Sequence, residues 1–267
     1  MPQIQLIAKY SKNTGLTLSP SEIRRLYFFG VEIRDKAVNE LPDSTIEFNI
    51  RAAQREIENE LKLKFTKQLF NDNMSYHRDM YRNGLPIIKT RYPVNEPLSL
   101  TGFYKKVEQI NYPQTWLSAH QNDDGVYLKK VNIVPTAGSS VGTSQDVILT
   151  GITTSYYGSL GRYETLPNYW ELQYVTGYDS ENYPYDLINV VGMLAAIPIF
   201  AIAGDLILGA GIASMSLGID GLSQSISSTS SATNSGYGSR IIEYRKSIAS
   251  SMKKIKSIYK GISFDVL

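Results

Sequence analysis

The segment Val190–Gly204, VVGMLAAIPIFAIAG, constrains this chain more than any other, because it carries no polar side chain. Any fold must take it out of water, since apolar burial is the dominant favourable term in folding. Its about 15 residues fall short of the ~20 that cross a bilayer, and Pro198 and then Asp205 break it. The expectation is therefore a buried core helix. Its small residues (Gly192, Ala195, Ala196, Ala201, Ala203) would let neighbouring helices approach closely, with a kink at Pro198 if the helix runs through it.

Helices to cover that segment are readable on both sides of it. SPSEIRRLYFFG predicts a short helix from Ser21, stopped by Gly30, after an irregular arm over 1–20. STIEFNIRAAQREIENEL predicts a longer one, with a capping box from Ser44 and Glu47. Its apolar stripe is Ile46, Ile50, Ala53, Ile57 and Leu61. A last helix from about Ser239 carries Ile241, Tyr244, Ile248, Met252, Ile255 and Tyr259 on one side. Its other faces hold Arg240, Arg245, Lys246, Lys253, Lys254, Lys256 and Lys260 against a single acid, Glu243.

The middle of the chain has a different texture. Short apolar runs alternate with Pro, Gly, Asn and Tyr, and LPIIKTRYPV, LTGFYKK, GVYLKKVNIVP, DVILTGITT and YWELQYVTGY read as strands. In the last, Trp170, Leu172 and Tyr174 alternate with Glu171, Gln173 and Val175, the period of a two-faced sheet. Segments 136–140 and 157–161 have turn chemistry. The organisation expected is α+β: a helical core of three or four helices from 44–66 plus 184–260, a β-rich domain inserted over 67–183, a Ser-rich loop over 219–239, and extended terminal arms over 1–43 (with the short helix) and 261–267.

The chain offers little material for catalysis. With 0 Cys, disulfides, thiolate zinc sites and cysteine nucleophiles are excluded. The 2 histidines, His77 and His120, lie in polar, loop-like contexts, and a surface role outweighs a general-base role for each. Asp123-Asp124-Gly125 lacks the alternating oxygen ligands of a calcium loop and reads as a turn. Gly209, Gly211, Gly218 and Gly221 have the wrong spacing for a phosphate loop. No serine sits in a nucleophile elbow. The expectation is a non-enzyme without metal or cofactor. The net charge of +2 implies no global electrostatic partner, and the N-terminus has no apolar signal-peptide core. The abundance of Tyr, 19 residues, suits both interfaces and strands. The basic last helix suits either a solvated face or an anionic surface, whether nucleic acid or lipid headgroups.

The stretch GDLILGAGIASMSLGIDGLSQSISSTSSATNSGYGSRIIEY resembles the C-terminal region of neck proteins of tailed bacteriophages, the head-to-tail connector or adaptor subunits of contractile-tailed phages. The matching positions are Gly211, Ile212, Ser214, Ser216, Ile219, Asp220, Gly221, Leu222, Ser223, Ser225, Arg240 and Ile241. The helix with Ala53 to Glu58, the passage from WELQYVTGY to YPYDLINVVGMLAA and the element NYPQTWL are also similar to that family.

The resemblance implies a structural virion protein that forms a ring, typically twelvefold, below the portal. Such a ring extends the DNA channel and meets other neck or tail-terminator proteins. The expected site residues are Gly211, Ser214, Ser216, Asp220, Gly221, Leu222, Ser223 and Ser225 for assembly. Arg240, Arg245, Lys246, Lys253, Lys254 and Lys256 would meet the portal or passing double-stranded DNA, without sequence specificity. The implied location is the virion neck, with host cytoplasm during assembly and no membrane. A rival reading uses Leu187 to Ile219 as a membrane-inserted hairpin and the basic helix as a headgroup anchor.

Overall fold

The computed structural model describes residues 15–31, 33–34, 39–77, 87–104, 107–134, 165–179, 182–208, 214–219, 222–227 and 237–259. The expected arm over 1–14, the strand over 146–154, the turns at 136–140 and 157–161, and the tail over 261–267 lie outside these residues. The fold is α+β, with four helices and antiparallel sheets. The described residues form two compact units, one within Lys62–Ser180 and one within Thr14–Leu61 and Glu181–Leu267.

The second unit is helical: α1 (Pro20–Leu26), α2 (Asp43–Leu61), α3 (Tyr185–Leu208) and α4 (Gly238–Tyr259). The capping box lies on α1, where the sequence reading had none. The Glu22 N–H donates to Ser19 Oγ, and Ser19 N–H donates to Glu22 Oε2 at 2.7 Å. The Ser19 N–H and the Ser19 hydroxyl, both donating to Glu22 Oε2, hold the Glu22 carboxyl below its ordinary value. The box expected at Ser44 and Glu47 is not the start of α2. Asp43 is already helical, and the Ile46 N–H bonds the Pro42 carbonyl. Arg24 steadies that end instead, pairing with Asp43 at 2.5 Å and donating to the Leu41 carbonyl at 2.7 Å. The expected apolar stripe of α2, Ile46, Ile50, Ala53, Ile57 and Leu61, is buried throughout.

Helix α3 begins at Tyr185, ahead of the apolar run, and continues through Pro198. The segment Tyr185–Gly204 is thus long and apolar enough to cross a membrane, so the length argument made from Val190–Gly204 alone does not hold. Burial carries the case instead, because Val190, Val191, Met193, Ala195, Ala196, Ile199, Phe200 and Ala203 are buried within the unit. Gly192 lies beneath the ring of Tyr27, and a Cβ there would collide with Tyr27 Cζ and Cε2. The Tyr27 hydroxyl donates to Asn189 Oδ1 at 3.3 Å, and the Tyr27 carbonyl accepts from the Tyr244 hydroxyl of α4 at 2.9 Å. Phe200 gathers the remaining rings: Phe28 at 5.2 Å, Tyr237 at 5.3 Å and Tyr244 at 6.0 Å.

The first unit holds β1 (Gln68–His77), β2 (Ile87–Lys89), β3 (Glu96–Tyr104), β4 (Val107–Tyr112), β5 (Leu117–Gln121), β6 (Tyr127–Ile133) and β7 (Thr165–Thr176). One antiparallel sheet has the order β1-β7-β3-β4, the other β2-β6-β5. Side chains of both sheets meet in one core that includes Ile88, Leu100, Val131, Ile133, Trp170 and Leu172. β7 has the expected alternation over Trp170 to Tyr174, but Val175 is buried as well, and β1 and β3 pair along its two edges. Asp72 ties the sheets together: it accepts from the Tyr174 hydroxyl at 2.7 Å and from the Arg91 N–H at 3.0 Å. Burial and the Asp72 contact both push the Tyr174 hydroxyl upward, so it stays a donor. At Gly177, φ is +97°, and a Cβ would strike the Thr66 carbonyl, so glycine is required there.

Three outcomes follow for stability. Gly192→Ala should destabilise the helical unit by about 1–3 kcal/mol through overpacking, read by denaturant unfolding followed by circular dichroism. Tyr174→Phe should cost about 1.5–3 kcal/mol, because a hydrogen bond to a buried carboxylate is lost. Burial raises Tyr27 from 10.0 to about 12. Folding therefore favours its protonated form, and this stability is present below pH 10 and lost as pH rises towards 12. Alkaline titration of the fold should show that loss, and Tyr27→Phe should flatten it over the same window.

Candidate functional site

The residues singled out by sequence fall on two features of the helical unit. Ser214–Ile219 and Leu222–Ser227 are strands, β8 and β9, paired antiparallel as a two-stranded ribbon. The loop expected over 219–239 is therefore strand in its first part. The signal was present in the sequence: alternation of small and apolar residues, broken only at Gln224, on either side of Asp220-Gly221, the dipeptide that tight hairpin turns favour. The ladder runs Ser214↔Ser227, Met215↔Ile226, Ser216↔Ser225, Leu217↔Gln224, Gly218↔Ser223 and Ile219↔Leu222, without a register shift. Opposed residues share a face. One face thus collects Ser214, Ser216, Gly218, Ser223, Ser225 and Ser227. The other collects Met215, Leu217, Ile219, Leu222, Gln224 and Ile226. Of the expected assembly residues, Ser214, Ser216, Ser223 and Ser225 fall together on the first face and Leu222 on the second. Gly211, Asp220 and Gly221 lie outside the described residues.

The basic residues of α4 do not act as one group. Arg240 is half-buried with its guanidinium over the Phe200 ring at 5.6 Å, and its Nη1 has no hydrogen-bond partner among the described residues. Lys256 pairs with Glu60 of α2 at 2.6 Å. Arg245, Lys246, Lys253 and Lys254 are exposed. By the 3.6-residue period, Arg245, Lys246, Lys253 and Lys256 share a stripe beside the buried Ile241, Ile255 and Tyr259, whereas Lys254 lies off it.

Sequence reasoning missed the apolar surface left on the same unit. Seven large apolar residues are exposed among those described. Leu26, Phe29, Phe48, Tyr185, Ile202 and Ile242 belong to the helical unit, and only Ile87 to the β unit. On α3 the uncovered side is as apolar as the covered one: Leu194, Ile197 and Ala201 are half-buried, Pro198 is exposed and Ile202 is 57% exposed.

The positions weighed for chemistry lie in strands and in one turn. His77 and His120 sit in strands, correcting the loop contexts expected for them. His77 Nδ1 is 3.2 Å from Thr165 Oγ1 across the β1–β7 ladder, and His120 lies at a register shift in β5. Asp123, Asp124 and Gly125 form a turn closed by Asn122, whose side-chain oxygen accepts from Asp124 and Val126 N–H groups. No group of metal-ligating side chains occurs among the described residues. A cavity lined by Arg24, Phe28, Val31, Ile33, Arg34, Glu40, Leu41 and Ile46 lies beside the entry to α2.

No protein-family model and no curated protein matches the chain. Among solved structures, the chain is similar to one from the neck of an empty GTA particle, computed with C6 symmetry. The identity is 15%, the TM-score 0.38, and the match covers 67% of this chain and 76% of that one.

Because Lys256 is committed to Glu60 and Lys253 and Lys254 are not, the three should respond differently to charge reversal. Lys253→Glu with Lys254→Glu should leave thermal stability within about 0.5 kcal/mol. Lys256→Glu should cost up to about 1 kcal/mol by placing two carboxylates together, with the loss shrinking in high salt.

Proposed function

We propose that this chain is a structural, non-enzymatic subunit of a phage-type particle neck. It would assemble as a ring, twelvefold by family resemblance, that joins the portal to the tail and extends the DNA channel. The observation that carries this reading is the uncovered apolar side of α3, Leu194, Ile197, Pro198, Ala201 and Ile202. A helix that is apolar all round is normally enclosed all round, and the chain's own helices enclose one side of this one. A neighbouring subunit is the natural cover for the rest, and a cyclic ring gives each subunit two different contact surfaces. The remaining exposed residues, Phe29 and Phe48 among them, provide apolar surface on other elements of the same unit. The motif over 209–241 supports the same assignment. The exposed cations Arg245, Lys246 and Lys253 would face the portal or DNA phosphates, a contact of the kind that salt weakens.

Native mass spectrometry and negative-stain imaging of the purified chain, alone and with portal rings, test this reading. A ring, or addition to the portal, is expected. A stable monomer that joins neither overturns it. Ile202→Glu should abolish the ring while changing unfolding stability by less than about 0.5 kcal/mol, the usual range for surface substitutions.

A second reading rests on the length and composition of Tyr185–Gly204, which satisfy the requirement for a membrane span. Against it, 61% of the most apolar window is buried within the protein. Flotation of the intact chain with vesicles containing phosphatidylserine separates the two. Strong flotation of monomeric protein favours the membrane, and retention at the bottom of the gradient favours the ring.

A further inference from the structure

The ribbon formed by β8 and β9 is incomplete as it stands. A lone two-stranded hairpin is marginally stable in water. Each of its strands is paired along one edge only, and no third strand joins it among the described residues. Exposed strand edges are normally blunted by Lys, Pro, inward charges or bulges. This ribbon has none of these devices. Ser214–Ile219 and Leu222–Ser227 contain no Lys, Arg, Asp, Glu or Pro, and the six-pair ladder has no register shift. Such an edge is suited to accept another strand.

We infer that the β8–β9 ribbon is an assembly edge on which β9 of one copy pairs with β8 of the next, joining the ribbons of a ring into one continuous antiparallel sheet. The inference rests on the ring reading and gives it a specific contact. The occupant is a second copy because the two free edges complement each other. One belongs to β8 and the other to β9, both are neutral and both are six residues long. Pairing β9 to β8 keeps strand directions alternating from copy to copy. In matching parity it also keeps every serine-bearing position on one face and every apolar position on the other. Pairing β8 to β8, or β9 to β9, is isologous and would stop at a dimer, whereas β9 to β8 is head-to-tail and can close a ring. Each junction would use about three outward-facing residues per strand, those not engaged in the ladder within the ribbon.

The chain's 0 Cys make single-cysteine variants unambiguous. Full-length Ser216→Cys and Ser225→Cys chains, carrying different tags, are mixed in equal amounts and treated with a bismaleimide linker of about 8 Å, shorter than the two strand spacings, ~9.6 Å, that separate like positions of successive copies. That length tolerates a two-residue slip between copies, since diagonal neighbours lie ~7–8 Å apart. The expected product is the heterotypic Ser216→Cys/Ser225→Cys dimer, in excess over either homotypic one, because unlike positions lie one strand spacing apart across the junction and like positions two. Native mass spectrometry of the same samples reports the ring. A ring without heterotypic product overturns the inference and leaves the ring reading standing. Predominant homotypic product also overturns it, because the contact is then isologous. Monomers alone, with no cross-link, overturn both. An environment-sensitive dye on either cysteine that shifts to the blue only with phosphatidylcholine–phosphatidylserine vesicles, in monomeric protein, assigns the ribbon to lipid and overturns the inference as well.

Discussion

The helical unit is organised around a helix with more apolar surface than the described residues cover. Over Val190–Gly204, α3 is so uniformly apolar that no rotation about its axis presents a polar side to solvent. What α2 and α4 bury of it supplies the core of the unit; what they leave defines its outside. The close approach that makes this packing possible depends on Gly192. With no Cβ there, the Tyr27 ring lies on the helix backbone. From that position, Tyr27 links α1 to α3 through Asn189 and to α4 through the Tyr244 hydroxyl. A short helix that could not hold itself in isolation is thereby fixed by one aromatic side chain, one glycine and two hydrogen bonds.

The β unit solves a different problem with a similar economy of contacts. Its central strand β7 is the last of the seven in sequence, yet it pairs with β1 on one edge and β3 on the other. Both of its pairings join segments remote in sequence, Asn71 with Gln173 and Leu100 with Leu172, and closing such loops slows folding more than it costs stability. The second sheet is anchored to the first by a polar contact as well as by the shared apolar core. Asp72 on β1 receives the Tyr174 hydroxyl from β7 and the Arg91 N–H from the β2–β3 connection. Both are satisfied bonds to a buried carboxylate, which favours one relative placement of the layers over others.

How much of this was legible in the sequence depends on where the deciding partner lies. α2 was legible because Ile46, Ile50, Ala53, Ile57 and Leu61 encode their own face. β7 was legible over Trp170 to Tyr174 for the equivalent reason. β1, QLFNDNMSYH, was not, because its polar composition suits a strand only once β7 pairs with it. The helix caps were misplaced for a local reason. Ser44 and Glu47 match the capping spacing, but Pro42 and the Arg24–Asp43 pair already define that helix end, while the box that forms is at Ser19 and Glu22. In the candidate site, sequence grouped Arg240 and Lys256 with the other cations. Their partners, Phe200 and Glu60, are remote in the chain, so the division of the basic face into committed and uncommitted charges required the fold.

The serine-rich stretch shows how composition can mislead where pattern does not. Serine is a poor strand former in isolation, and a run of it reads as linker. Yet alternation, not average composition, determines whether a strand can have two distinct faces. Serine or glycine at alternate positions, with Met215, Leu217, Ile219, Leu222, Gln224 and Ile226 between, sets two unlike rows of positions along the ribbon by register alone. The same small, neutral residues that hide the strands from a compositional reading leave their edges without the charges that usually repel a neighbour. The ribbon edges and the apolar side of α3 that the described residues leave without a partner therefore have one physical meaning: each is a surface that a solitary subunit would have reason to protect.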